Sequence, residues 1–275
     1  MKKTLRYVDK VIVCDDGSTD NTAALAKKAG AIVISHKTNL GYGASISTLF
    51  DYCRKNNAEI MVTLDGDGQH NPDQILDLIN VISKHNVDVV IGSRSLKDEK
   101  DLPSYRKTGI KIITAAINSA TNLKVTDSQS GFRAYSKTAI DLIHPSESGM
   151  SVSTEILLKI SNNGLSIAEV PIAVSYKGNT STEHPVSHGA HVIGTTLKYV
   201  SIKHPIYFYG LPGVLLFVFG LVLGISFLDN YLDPHEPKVL YGLMLGSIIS
   251  VLLGSMMSIT SILLFSMANL IRGTK

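Results

Sequence analysis

The chain has 275 residues, 44% of them apolar and 18% charged, with a formal net charge of +3. So slight a charge, with no basic stripe carrying interleaved aromatics, excludes the usual nucleic-acid footprint. Two cysteines, Cys14 and Cys53, exclude a disulfide framework and a cysteine-based zinc site, and the first residues give no expectation of a signal peptide.

In chain order, the β-rich stretch 10–14 predicts a strand. Asp20 caps a helix that runs to Ala29 and is ended by Gly30. A strand over 31–35, a helix over 44–55 and a strand over 60–64 follow. Pro72 opens a helix to His85, and 87–92 is a fourth strand. Near-continuous apolar strands alternating with helices predict an α/β fold, a mainly parallel sheet covered on both faces. Ligands bind such sheets outside the carboxyl ends of the strands. Asp15 and Asp16, Asp65 and Asp67, and Ser93 and Arg94 all lie at such ends, so three polar clusters share one edge.

Apolarity is concentrated near the C-terminus. No charged residue occurs in 205–228 or in 239–271. Each stretch exceeds the roughly 20 residues that cross a hydrocarbon core as a helix. The sequence therefore predicts a soluble domain over 1–190, an interfacial helix over 191–204 and a transmembrane hairpin over 205–275. Lys198 and Lys203 precede the first span, and Arg272 and Lys275 follow the second, which places both termini and the domain in the cytoplasm. Gly242, Gly246, Ser250, Gly254 and Ser258 recur every four residues, as do Gly220 and Gly224. Small residues at that spacing let helices approach closely, within the hairpin or between copies.

The stretch "VTLDGDGQHNPDQ" at 62–74 puts two carboxylates one residue apart after an apolar strand. Like charges there repel unless a cation lies between them. Carboxylates beside the amide oxygen of Gln69 form a hard donor set suited to Mg²⁺ or Mn²⁺, and such an ion would hold a diphosphate. A helix–loop–helix calcium site fails, because its sixth and twelfth positions are His70 and Leu76 rather than Gly and Glu. An aspartyl phosphatase with Asp65 as nucleophile and a plain solvated turn are the other readings.

"VIVCDDGSTDNT" and "TLDGDGQHNP" resemble the family 2 inverting glycosyltransferases of GT-A fold. The later "DSQSGFRAYSK" and "STEILLKISNNG", with the hairpin, are similar to the polyprenyl-phosphate group that contains dolichyl-phosphate mannose synthase. The resemblance implies transfer of a hexose from a UDP- or GDP-linked sugar to polyprenyl or dolichyl phosphate. It implies that Asp15, Asp16, Asp65 and Arg94 meet the nucleotide sugar, with Asp16 at the base. Asp67, Gln69 and Asp65 would hold Mg²⁺ or Mn²⁺. Arg133 would grip the acceptor phosphate, joined by Lys177 and, more weakly, Arg106. Asp127 and Glu155 match acidic positions that face the site, a structural cap or a salt bridge being the equal alternative for each. Asp65, Asp67, Arg133 and Asp127 are thus the catalytic set.

A lipid phosphate is already anionic at neutral pH, so the chemistry asks for positioning and charge neutralisation rather than a strong base. "GYGAS" at 41–45 lacks the third glycine of a dinucleotide fingerprint and is read as a phosphate-facing turn. His184, His188 and His191 suit an interfacial loop better than a zinc site, since Pro185 and Gly189 break the helix that would align them. The sequon at 179–181 stays bare on the cytoplasmic side. Family members begin with a central strand that would precede Met1. Without it, a row of backbone groups would be unpaired and the base pocket open. That leaves a second expectation, a catalytically inactive binding protein of the same fold.

Overall fold

The computed structural model describes residues 1–94, 96, 104–121, 123–175, 201, 205–232 and 240–273. Lys177, the sequon, the three clustered histidines, the side chain of Arg106 and, apart from Ser201, the segment 191–204 lie outside the described residues. The chain divides into two compact units, Met1–Thr196 and Leu197–Lys275.

The first unit alternates strands and helices: β1 (Ile12–Asp15), α1 (Thr22–Lys28), β2 (Ile32–Ser35), α2 (Tyr42–Lys55), β3 (Ile60–Thr63), α3 (Ile75–His85), β4 (Val89–Ser93), α4 (Ser104–Thr121), β5 (Arg133–Ser136), α5 (Lys137–Leu142), α6 (Val152–Asn162) and β6 (Ile167–Pro171). Local chemistry sets several ends. Asp20 accepts a hydrogen bond from the Thr22 amide at the start of α1, 2.9 Å. Gly30, at φ +93°, takes the chain out of that helix into β2. Asn71 caps a 3-10 turn at Pro72–Gln74 that runs into α3, and Asn86 in the left-handed region ends it.

Four strands form one mixed sheet in the order β3-β5-β4-β6. β4 and β6 are parallel, while β5 runs antiparallel between β3 and β4. Side chains alternate across this sheet as a pleated strand requires. Val89 and Ile91 of β4 enter a core with Phe50, Ile117, Tyr135 and Leu157. Val90 points the other way, to Ile75, Leu78 and Phe132. Phe50 meets Tyr135 edge to face at 4.9 Å.

β1 and β2 form a separate parallel pair. Among the described residues no ladder joins β1 to β3. Ladder parity shows which groups are left over. Val11 and Asp15 carbonyls receive β2 amides, so Ile12 and Cys14 direct their backbone groups to the opposite edge. Ser136 and Phe132 bond to the β4 side, so Arg133 and Tyr135 bond to Thr63 and Met61, and Ile60 and Val62 face outward. A cleft of about 1230 Å³ is lined by Val11, Ile12 and Val13 on one side and Leu64 and Asp65 on the other. Among the described residues no strand pairs with either of these two edges.

The second unit contains α7 (Leu211–Leu232), entered through a π-turn at Ile206–Gly210, and α8 (Leu240–Gly273). Ile206–Tyr231 and Tyr241–Met267 are long and apolar enough to cross a membrane. The small residues pack the hairpin against itself. A side chain on Gly220 would meet the Val251 backbone, one on Gly254 the Phe217 backbone, and one on Gly213 Ser258. Ser247 Oγ donates to the Gly220 carbonyl at 2.8 Å. Gly242, by contrast, has nothing within 4 Å of where its Cβ would stand. A four-residue step turns 400° around a helix, so a strict repeat of four drifts about 40° each time and leaves the interface.

Candidate active site

The acidic turn sits where β3 ends. Leu64, Asp65, Gly66, Gly68, Gln69 and His70 line the cleft. Gly68, at φ +78°, lets the turn reverse in a conformation that disfavours side chains, and no atom crowds Gly66 or Gly68. Asp67 is exposed and accepts the Gln69 amide at 2.9 Å. A short bridge between His70 and Val174, with the Ser175 amide on the Gln69 carbonyl at 2.9 Å, anchors the turn from the far side. The Asp65 carboxylate rests against Gly131, where a Cβ would stand 2.9 Å from each of its oxygens. Its Oδ1 accepts the Tyr42 hydroxyl at 3.3 Å. Burial, and then the Asp65 charge, push the Tyr42 phenol far above its ordinary value, so it stays a donor.

The end of β4 presents Arg94. Its Nε and Nη2 donate to the two oxygens of Asp127 at 2.7 and 2.8 Å, and its amide adds a third bond at 3.1 Å. Asp127 is fully buried. Burial alone would raise its carboxyl, but the hydrogen bonds and charge of Arg94 outweigh this and hold it below the ordinary value. Glu169 on β6 fixes the same loop, accepting from the Thr126 amide and hydroxyl and from the Asp127 amide. Burial holds the His70 imidazole below its usual pKa, against the pull of Asp65 and Asp67; its Nδ1 is buried with no partner among the described residues.

Comparison with known proteins identifies the family. Residues 2–143 match the model of glycosyl transferase family 2. The chain belongs to that family. It is a glycosyltransferase. It is 33% identical to the UDP-N-acetylglucosamine–dolichyl-phosphate N-acetylglucosaminyltransferase of Methanococcus voltae, over 67% of this chain and 80% of that protein. It is 29% identical to the dolichyl-phosphate hexose transferase of Haloferax volcanii, over 70% of this chain and 81% of that protein. Its fold matches glucosyl-3-phosphoglycerate synthase of Mycobacterium tuberculosis with a TM-score of 0.55 at 22% identity, covering 70% of each chain, which is the GT-A fold.

Within this family 2 chain the structure draws some expected residues together and redirects others. Asp65 and Gln69 line the cleft, Asp67 shares their turn, and the charges of Asp65, Asp67, Arg94 and Asp127 all act on His70. Arg133 is corrected. It is 2% exposed and donates to the carbonyls of Ser130, Ser153 and Ser128, at 2.8, 3.2 and 2.8 Å. Each of its three nitrogens is held by a backbone carbonyl inside the fold. Asp16 is likewise a clasp. It accepts from His36 Nδ1 at 2.6 Å and from the Leu40 and Gly41 amides at 2.9 and 2.8 Å, and it does not line the cleft. Burial raises its carboxyl, but these three bonds and the His36 charge bring it below the ordinary value. Asp15 is buried and accepts the Ser18 amide.

The "GYGAS" turn faces protein. The Gly43 and Ala44 amides both donate to the Ser148 carbonyl, and a Cβ on Gly43 would overlap Glu147. Glu155 holds that loop through the Ser146 and Glu147 amides and pairs with Lys159 at 2.8 Å. Tyr42, His36 and Glu169 escaped the sequence reading, because each acts through a partner more than 12 residues away or one whose role no motif marks.

The residues at the turn fit a divalent cation. Two carboxylates and an amide oxygen are hard donors, and the neighbouring glycines leave room around them. Among the described residues no group of three or more His, Cys, Asp or Glu side chains is arranged to hold a metal ion by itself.

Proposed function

We propose that this glycosyltransferase moves one hexose from a UDP-sugar to a polyprenyl phosphate at a cytoplasmic membrane face, with inversion at the anomeric carbon. The carrying observation is the open acidic turn at the cleft, in a family 2 chain that also bears two helices able to cross a membrane. The names of the Methanococcus and Haloferax relatives, both of which act on dolichyl phosphate, support the acceptor. The first of these names a UDP-sugar, which supports the donor.

In this reading Asp65, Asp67 and Gln69 hold Mg²⁺ or Mn²⁺, which would offset the charge of the departing nucleoside diphosphate. Arg94 meets the approaching phosphate, with Asp127 fixing the plane of its guanidinium, and Lys177 assists. The buried Arg133, held by three carbonyls, supports the loop that carries Gly131. The acceptor's second pKa lies near 6, so it attacks without a strong protein base. What the chain supplies is two anions held together in one orientation.

The test uses membranes containing the full chain, polyprenyl phosphate, Mg²⁺ or Mn²⁺, and labelled UDP- and GDP-sugars offered singly. Label entering the organic phase from a UDP-hexose, lost with EDTA, is the expected result. Asp67→Ala should lower turnover by at least about a hundredfold while leaving membrane insertion unchanged. Full activity in that variant overturns the metal assignment. No transfer from any donor overturns the reading as a whole.

A further inference from the structure

Tyr42 is the first residue of α2, and its place is set from far along the chain. Glu155, on α6, accepts from the Ser146 and Glu147 amides at 2.9 and 2.8 Å. The loop so held turns the Ser148 carbonyl onto the Gly43 amide, 2.7 Å, which fixes where α2 begins. The Tyr42 hydroxyl then reaches Asp65 Oδ1 at 3.3 Å, and Gly131 leaves the space both groups occupy. Asp65 otherwise stands at an open turn with nothing crowding Gly66 or Gly68.

We propose that Tyr42 is a positioning residue for Asp65, holding Oδ1 so that Oδ2 stays aimed at a divalent cation in the cleft. This rests on the metal-dependent reading above. Glu155, expected to face the site itself, acts instead through the loop and α2. The interaction joins the start of α2, the turn after β3 and the loop before β5, and among the described residues the hydroxyl is the side-chain donor to Asp65.

The test is Mn²⁺ binding to the detergent-solubilised full chain, followed by EPR without substrates, in wild type, Tyr42→Phe, Gly131→Ala and Asp67→Ala. Tyr42→Phe keeps the ring and removes only the donor. It should weaken Mn²⁺ about tenfold, the scale of one hydrogen bond to a charged group, with its thermal midpoint unchanged. Gly131→Ala, which displaces the same carboxylate, should weaken Mn²⁺ as well. In turnover, Tyr42→Phe should raise the KM for metal more than it lowers kcat. Wild-type affinity in Tyr42→Phe, with Asp67→Ala impaired, overturns the role of Tyr42 and leaves the metal reading standing. An affinity that falls only in step with the thermal midpoint also overturns it. No Mn²⁺ binding by the wild type overturns both.

Discussion

Two arginines in this chain occupy opposite circumstances: the end of β4 that carries Arg94 was readable from its neighbours, whereas the partners of both arginines were not. Arg94 keeps 19% of its side chain exposed and binds Asp127 through the Nε–Nη2 edge of its guanidinium. Arg133 is enclosed by three carbonyls. Replacing Asp127 by Asn should leave Arg94 without its counter-charge and cost about 2 to 3 kcal/mol, toward the low side for a buried pair because Arg94 is partly solvated. The pH dependence has a definite sign. The folded-state carboxyl titrates below its unfolded value of about 3.9, so its stabilisation is complete above that pH and is lost as pH falls through the folded-state value. Denaturant unfolding of wild type and Asp127→Asn should show a constant gap from about pH 5 to 7 that narrows below about pH 4. The place of Asp65 and Asp67 was legible because it is local: two acids after one strand. The acceptors of Arg133 were not, since backbone carbonyls leave no mark in a sequence, and one comes from Ser153 across the fold.

Elements obey the same division. Strand positions in the first half followed from apolar runs and their caps, and α2 and α3 end where the sequence predicts. β5 was unseen because "RAYS" carries only four residues, opens with a charge, and owes its place to the ladders on both sides. In the hairpin, the sequence revealed a small-residue stripe but not its true partners. The contacts run through Ser247, Val251, Gly254, Ser258 and Ser261, a repeat of three and four that follows the helical period. Gly254 is the tightest of them, with the Phe217 amide 2.5 Å from its projected Cβ. Gly254→Leu should part α7 and α8 and lower stability by about 1 to 3 kcal/mol, read as a drop in thermal midpoint in detergent. Gly242→Leu, at an open position, should leave the midpoint in place.

At the scale of the whole molecule, the sheet is interrupted beside the cleft that the proposed chemistry uses. The polar ends of β3 and β4 were predicted to share one edge, and the four-stranded sheet does carry them together. β1 and β2 stand apart from it, facing β3 across about 1230 Å³. That gap has a signature in time rather than in space. Along β1 the Val13 and Asp15 amides are engaged by β2, while those of Ile12 and Cys14 are directed to the opposite edge. Along β3 Met61 and Thr63 are engaged by β5, while Ile60 and Val62 are not. Residue-resolved deuterium uptake should therefore flicker along each strand, fast and slow in turn, with Ile12, Cys14, Ile60 and Val62 labelling first. A polypeptide laid between the two edges would protect all four amides at once, so the same labelling reads directly whether anything fills the space.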